Sequence, residues 1–227
     1  MGVLHKLQSA SIFVWWKYSK YIDLINRNPL LHDFYLQSAD AKEFKSRLLQ
    51  YDYINRKFVN PEPISYLEFG VYAGESMKYW LAINDNPDSR FYGFDTFTGL
   101  PEDWSRHMKK GTFNLNGTIP EFDDNRAEVV KGMFQETLGP FLQNFRRNDK
   151  LVLHLDADLY SSTLFVLAQL DHLIKVGDII IFDEFGDLNG EFKAYLDYKN
   201  AFKRNLKPVS RVLLGSWIID KIAFIVE

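Results

Sequence analysis

The sequence predicts an α/β fold built on a mostly parallel sheet, and two observations carry that expectation. From Ile64 onward, short apolar runs alternate with stretches of helical spacing, the pattern of strand–helix–strand units. The last two apolar runs are joined too closely for a parallel crossover, which takes about a dozen residues or more, so they must pair antiparallel.

The first strand is ISYLEFGV, ending near Gly70, and GESMKYWLAIN follows it with helical periodicity. RFYGFDTF is the second strand, and EVVKGMF the next after a long polar gap. LVLHLDADL precedes the helical STLFVLAQLDHLIKV, and Gly177 opens the strand DIIIFDEF. SRVLLGSWIIDKIAFIVE supplies the closing pair, with its tight connection expected at Ile219-Asp220-Lys221. Residues 1–60 lack this alternation. They read as a helical N-terminal extension, a lid or a subunit contact, broken at Asn28-Pro29 and divided from the sheet domain, residues 61–227, by the prolines of NPEP. Residues 101–127 form a long loop with Gly111, Gly117, Pro120 and little periodicity, a length typical of lids and binding loops.

Composition narrows the function classes. The chain is 46% hydrophobic, enough for a substantial core, and its 16% aromatic content concentrates in the first hundred residues, where a homo-oligomer contact is one use for it. A net charge of -3 and a pI near 6.0 give no electrostatic reason to expect nucleic acid as a partner. Lys109-Lys110 and Arg146-Arg147 read as solvated surface pairs. The absence of cysteine excludes disulfides, thiolate metal sites and a cysteine nucleophile, and it fits a cytoplasmic location. The run Ala10 to Trp16 has no secretory pattern and is too short to span a bilayer, which takes roughly 20 apolar residues. A helix over Ile12 to Ile25 would pack on the core or on a second subunit, with a membrane surface as the alternative. Asn116-Gly-Thr is an acceptor sequon by pattern only.

Two stretches carry chemistry. In LEFGVYAGES, Gly70 and Gly74 let the backbone turn and approach a ligand at the strand-to-helix junction, and the acid Glu68 near the end of a buried strand calls for a partner or a function. The spacing is G-x-x-x-G, not the dinucleotide G-x-G-x-x-G. Asp95 follows at the end of the second strand, where a carboxylate can accept from ribose hydroxyls or cap the turn before Gly99; with the glycine loop present, a nucleoside is the better reading. In LVLHLDADLYSST, Asp156 and Asp158 share a strand face, and Asp183 with Glu184 ends the next strand, so four acids gather at the carboxyl edge of the sheet. Such acids can hold a hard cation, take a proton, or tie down a turn. His154 shares their face by alternation; it would orient substrate or act as an auxiliary base, or be a hydrogen-bonded strand histidine. His107 is a loop histidine within reach only of a closed lid. Ser161-Ser162-Thr163 would cap the following helix.

The ordered motifs E-F-G-V-Y-x-G-x-S, G-F-D-T-F-x-G-L-P-E-D-W, K-G-M-F-x-x-T-L, H-L-D-A-D-L-Y-S-S-T and F-D-E-F resemble those of S-adenosylmethionine-dependent O-methyltransferases of the macrocin O-methyltransferase type, over about Tyr66 to Phe185. The resemblance implies a three-layer, Rossmann-like class I methyltransferase sheet and methyl transfer to a hydroxyl of a sugar or other polyhydroxylated small molecule. Gly70, Gly74 and Ser76 would line the methionine end of S-adenosylmethionine, with Glu68 beneath. Asp95 would hold the ribose, Thr96 and Phe97 would flank it, and Gly132 with Met133 would border the adenine. Asp156, Asp183 and Glu184 would be ligands to Mg2+, and Asp158 the base. The chain has Asp-Glu where the best-studied sugar methyltransferases have Asp-Asp, and neighbours on a strand point to opposite faces, so both acids reach one ion only if the strand ends before them. The alternatives are a nicotinamide-dependent oxidoreductase on a similar sheet, a non-catalytic nucleoside-binding protein, and a metal-dependent hydrolase.

Overall fold

The computed structural model describes residues 29–214 and 218–227, so the run Ala10–Trp16, the helix expected over Ile12–Ile25 and residues 215–217 lie outside the described ones. In chain order the elements are α1 (Pro29–Gln37), β1 (Lys42–Phe44), α2 (Arg47–Ile54), β2 (Ile64–Phe69), α3 (Glu75–Ile83), β3 (Arg90–Asp95), β4 (Ala127–Lys131) and α4 (Phe134–Asn144). β5 (Lys150–Leu155), α5 (Tyr160–Leu170), β6 (Ile179–Phe182), α6 (Glu191–Phe202), β7 (Leu206–Leu214) and β8 (Ile218–Val226) complete the chain. Among the described residues, no helix is long and apolar enough to cross a membrane.

The eight strands form one sheet in the order β1-β7-β8-β6-β5-β2-β3-β4. Every pairing is parallel except those of β8, which runs antiparallel to both β6 and β7. β2 and β6 are buried along their whole length, which is why their sequences show apolar runs without alternation. Phe69, Phe94, Leu153, Phe182 and Phe224 face a core closed by α1, α4, α5 and α6. On the other face, Tyr66, Phe91, Val152 and Ile181 pack under Tyr51 of α2 and Trp80 of α3. The three layers and the reversed hairpin are as the sequence predicts.

The differences have local causes. Lys42–Phe44 pairs in parallel with Ser210–Val212, so a stretch expected to be helical carries a short edge strand of the sheet. The helix α6 forms where the sequence pattern marked no element; its buried residues include Ala194, Tyr195 and Tyr198. Ile219, Asp220 and Lys221 are not the hairpin connection. They lie in β8, where Ile219 pairs with Leu213 and Lys221 with Val212, and the register skips Asp220. The polar pair interrupts an apolar run because it faces the acidic edge of the sheet, and it mimics a turn in the sequence.

Arg147 corrects the expectation of a solvated basic pair. Its guanidinium forks onto Asp178, Nη1 to Oδ2 and Nη2 to Oδ1 at 2.8 Å each, with side chains only 9% and 2% exposed. Asp178 also accepts from the Leu151 and Lys175 amides, so the pair ties the start of β5 to the segment entering β6. Arg147→Met strands a buried carboxylate and should destabilise the protein by about 3–5 kcal/mol in urea unfolding.

Candidate active site

A cleft of about 270 Å3 opens at the carboxyl ends of β2, β3, β5 and β6. This is the point where strand order reverses: the chain runs from β2 outward through β3 and β4, then returns to lay β5 on the other side of β2. Open α/β sheets bind ligands at such a crevice.

The glycine loop and the acidic turn meet here. Gly70 has φ +98°, and a Cβ on it would stand 1.8 Å from the Asp156 carbonyl oxygen. The Asp156 amide donates to the Phe69 carbonyl at 2.9 Å, continuing the β2–β5 pairing past the strand ends. Asp95 then fastens the loop to β3: Oδ2 accepts from the amides of Val71 and Tyr72 at 2.9 and 2.8 Å, and Oδ1 from Phe97 at 2.7 Å. The carboxylate therefore caps its own turn and borders the cleft at once.

Of the residues singled out in the sequence, Gly70, Asp95, Thr96, Met133, Asp156, Asp158, Asp183 and Glu184 line the cleft. Glu68, Gly74, Ser76, Phe97, Gly132 and His154 do not. Glu68 and Ser76 are buried at 1% and 4% exposure. Gly74 starts α3 beneath the Phe122 ring, and Gly132 hydrogen-bonds the Asp95 carbonyl. Phe97 is buried at φ +58°, its carbonyl accepting from Leu115 and Gly117. The loop after β3 is folded rather than open: Leu100 and Thr112 are hydrogen-bonded across it, and it contributes Leu100, Pro101, Trp104 and Phe113 to the cleft. Trp104 Nε1 donates to Asp187 at 2.5 Å and Ser161 to Glu102 at 2.6 Å, joining this wall to the far side. His107 is exposed in the loop and does not line the cleft.

His154 is fully buried and hydrogen-bonded on its strand. Tyr66 donates to Glu68 at 2.7 Å and is 2.8 Å from His154 Nδ1, so the ring donates there; Tyr51 lies 3.3 Å from Nε2. Burial alone would lower its pKa, but the Asp183 and Glu68 carboxylates, each 3.8 Å from a ring nitrogen, push it up to about 10.

The strand ends at Phe182, so Asp183 and Glu184 both lie beyond it and are released from alternation. They nevertheless part. Asp183 joins His154 and Asp156, each offering one atom within 4.8 Å of the others, whereas Glu184 stands outside this cluster. Burial raises the Asp183 pKa, but His154 and Lys221 hold it well below the usual carboxylate range. Burial, then the charge of Asp183, raises Asp156. Burial, with Asp183 and Asp187 adding to it, pushes Asp158 up to about 7. Burial likewise pushes Glu184 up to about 8 against the opposing Lys221. Asp183 Oδ1 is a buried acceptor with no donor, and paired carboxylates suit a hard divalent cation, so Asp156 and Asp183 fit such an ion.

Four further residues shape the site: Arg47, Trp104, Glu191 and Lys221. Glu191 is fully buried and accepts from the Glu184 amide at 2.9 Å, fixing the turn after β6. Trp104 lay within a quoted motif, but no local signal marks Arg47 of α2 as a cleft residue. The expected cap is absent: Leu159 starts α5 without a side-chain cap, Ser161 bonds Glu102, and Ser162 and Thr163 are buried.

The family model described as macrocin-O-methyltransferase (TylF) matches residues 45–213. Among solved structures, the chain is similar to the calicheamicin methyltransferase CalS11, at 23% identity over 91% of this chain and 90% of that one, with a TM-score of 0.62. It is similar to the O-methyltransferase NovP at 23% identity over 79% and 78%, TM-score 0.60. The O-methyltransferase from Bacillus cereus in complex with SAH aligns at 13% identity over 94% and 99%, TM-score 0.52. No curated protein matches the chain.

Proposed function

The chain belongs to the macrocin O-methyltransferase family and is an S-adenosylmethionine-dependent O-methyltransferase; from that premise we propose that it methylates a hydroxyl of a sugar or other polyhydroxylated small molecule. One observation carries this reading: the glycine loop and the carboxylates of Asp156 and Asp158 line one cleft, in backbone contact at Gly70. Donor and acceptor sites are thereby adjacent. Carboxylates together with Tyr72, Trp104 and Phe113 in one lining suit an acceptor rich in hydroxyls with apolar C–H faces.

When bound, S-adenosylmethionine supplies a methyl group already activated on a sulfonium. Gly70, Asp95, Thr96 and Met133 are the residues to hold it, with Glu68, Gly74, Ser76, Phe97 and Gly132 shaping the loops behind them. The remaining barrier is met by positioning the acceptor oxygen in line and by taking its proton. Asp158 is the base that would take the acceptor hydroxyl's proton as its oxygen displaces the thioether sulfur from the methyl carbon. His154 keeps Asp183 oriented from behind. Asp156 and Asp183 are the residues for Mg2+, whose chemistry would be to lower the pKa of a bound oxygen; Glu184 serves the acceptor side of the cleft. Arg47 of α2 and the loop after Pro101 help build the acceptor pocket, which agrees with Arg47 and Trp104 lining the cleft.

Calorimetry tests the reading. S-adenosylhomocysteine should bind saturably and NAD should give no heat of binding. Polyhydroxylated acceptors should bind more tightly to the S-adenosylhomocysteine complex than to the free protein. Absence of S-adenosylhomocysteine binding would sink the donor assignment, and indifference to every sugar-type acceptor the substrate class.

A further inference from the structure

Lys221 sits among the acids of the cleft edge. Its side chain is 13% exposed, and its Nζ donates to the Asp183 carbonyl and to Asp183 Oδ2 at 2.9 Å each while lying 3.3 Å from Asp220 Oδ2. Two of the ammonium's three N–H donors are hydrogen-bonded, both to Asp183, and Asp220 stands beside it as an ion pair. The skipped register at Asp220 brings Asp220 and Lys221 to this edge from β8. Asp183 thus has two different oxygens: Oδ2 accepts from Lys221 at 2.9 Å with the Arg47 guanidinium farther off at 3.9 Å, while Oδ1 lacks a donor and lies 3.8 Å from His154 Nε2, near Asp156. A cation drawn to Oδ1 would share one carboxylate with an ammonium already in place, and two positive charges at that separation repel with little water between them.

We propose that Lys221 is a resident counter-ion of the acidic edge, and that a divalent cation at Asp156 and Asp183 binds in competition with its charge. Asp183 then keeps a positive partner without the ion, and the ion is held weakly and exchanges readily. This rests on the assignment of Asp156 and Asp183 as the cation's ligands. The probe is Mn2+, titrated into the full chain with the free ion followed by paramagnetic resonance. Lys221→Met should bind Mn2+ about tenfold more tightly than the wild type, or better. Lys221→Gln, which keeps hydrogen-bond donors without charge, should do the same if the methionine variant folds poorly, and Mn2+ should raise its melting temperature more than that of the wild type. Lys221→Arg keeps the charge and should stay within about threefold of the wild type. Equal affinity in wild type, Lys221→Met and Lys221→Gln, with binding lost in Asp156→Asn, overturns the role of Lys221 and leaves the cation site standing. Tightening in Lys221→Arg equal to that in Lys221→Met overturns it too, since packing would then be the cause. No saturable binding in any variant removes both.

Discussion

Asp158→Asn should lower turnover by about 100- to 10,000-fold and leave S-adenosylhomocysteine affinity nearly unchanged. Asparagine is the informative replacement because Asp158 sits at φ +59°, a left-handed conformation that asparagine tolerates and most residues do not. The side chain is 8% exposed and keeps its volume in the variant, so the cleft wall stays where it is. What disappears is the capacity to take a proton. The cofactor loop would not feel the change, since Asp95, not Asp158, holds the Val71 and Tyr72 amides. If Asp158 only anchors the acceptor through hydrogen bonds, the acceptor KM rises while kcat stays within about tenfold of the wild type. Near-normal kcat would remove Asp158 as an essential base.

The readable and unreadable parts of the site differ in the range of the interactions that build them. Gly70, Asp95 and Asp156 to Asp158 stand at strand ends whose apolar runs are local, and the place where a strand ends is visible from the run itself. Their convergence follows from parallel pairing of β2, β3 and β5, which the alternation of strands and helices implies. Arg47, Glu191 and Lys221 arrive from α2, α6 and β8, and nothing within a few residues of each says which acid it will meet. Lys221 was worse than silent. A polar pair inside an apolar run has the same local appearance whether the chain turns or a strand faces a charged cleft, and only the pairing with Val212 decides. The strand β1 is hidden for a related reason: it is short, lies at the sheet edge with an exposed pattern, and owes its conformation to β7. Glu184 shows how far spacing reaches. That the strand stops before the two acids is a local fact, but the Glu184 amide is held by Glu191, a contact from the next helix.

Gly70→Ala should be the most damaging glycine-to-alanine change among the described residues, costing at least about 3 kcal/mol of stability, roughly 6–12 °C in melting temperature, and abolishing tight S-adenosylhomocysteine binding. Two costs add. Alanine at φ +98° is strained wherever it occurs, and at this position the new Cβ also falls 1.8 Å from the Asp156 carbonyl oxygen and 2.6 Å from its carbon. That obstacle is backbone, pinned by the Asp156 amide donating to Phe69, so no rotamer change can relieve it. Either the glycine loop or the Asp156–Asp158 turn must move, and each move opens the seam where donor and acceptor sites touch. Gly177 separates the two costs: its φ of +91° is nearly the same, yet a Cβ there meets nothing within 4 Å. Gly177→Ala should cost only about 1 kcal/mol and leave cofactor affinity intact. Equal losses in the two variants, with S-adenosylhomocysteine still bound by Gly70→Ala, would mean that the loop and the acidic turn are not in backbone contact. The reading of one joint site would fall with that contact. A larger loss confined to Gly70→Ala, measured by urea unfolding beside calorimetry, would tie fold stability and cofactor binding to the same square ångströms of packing.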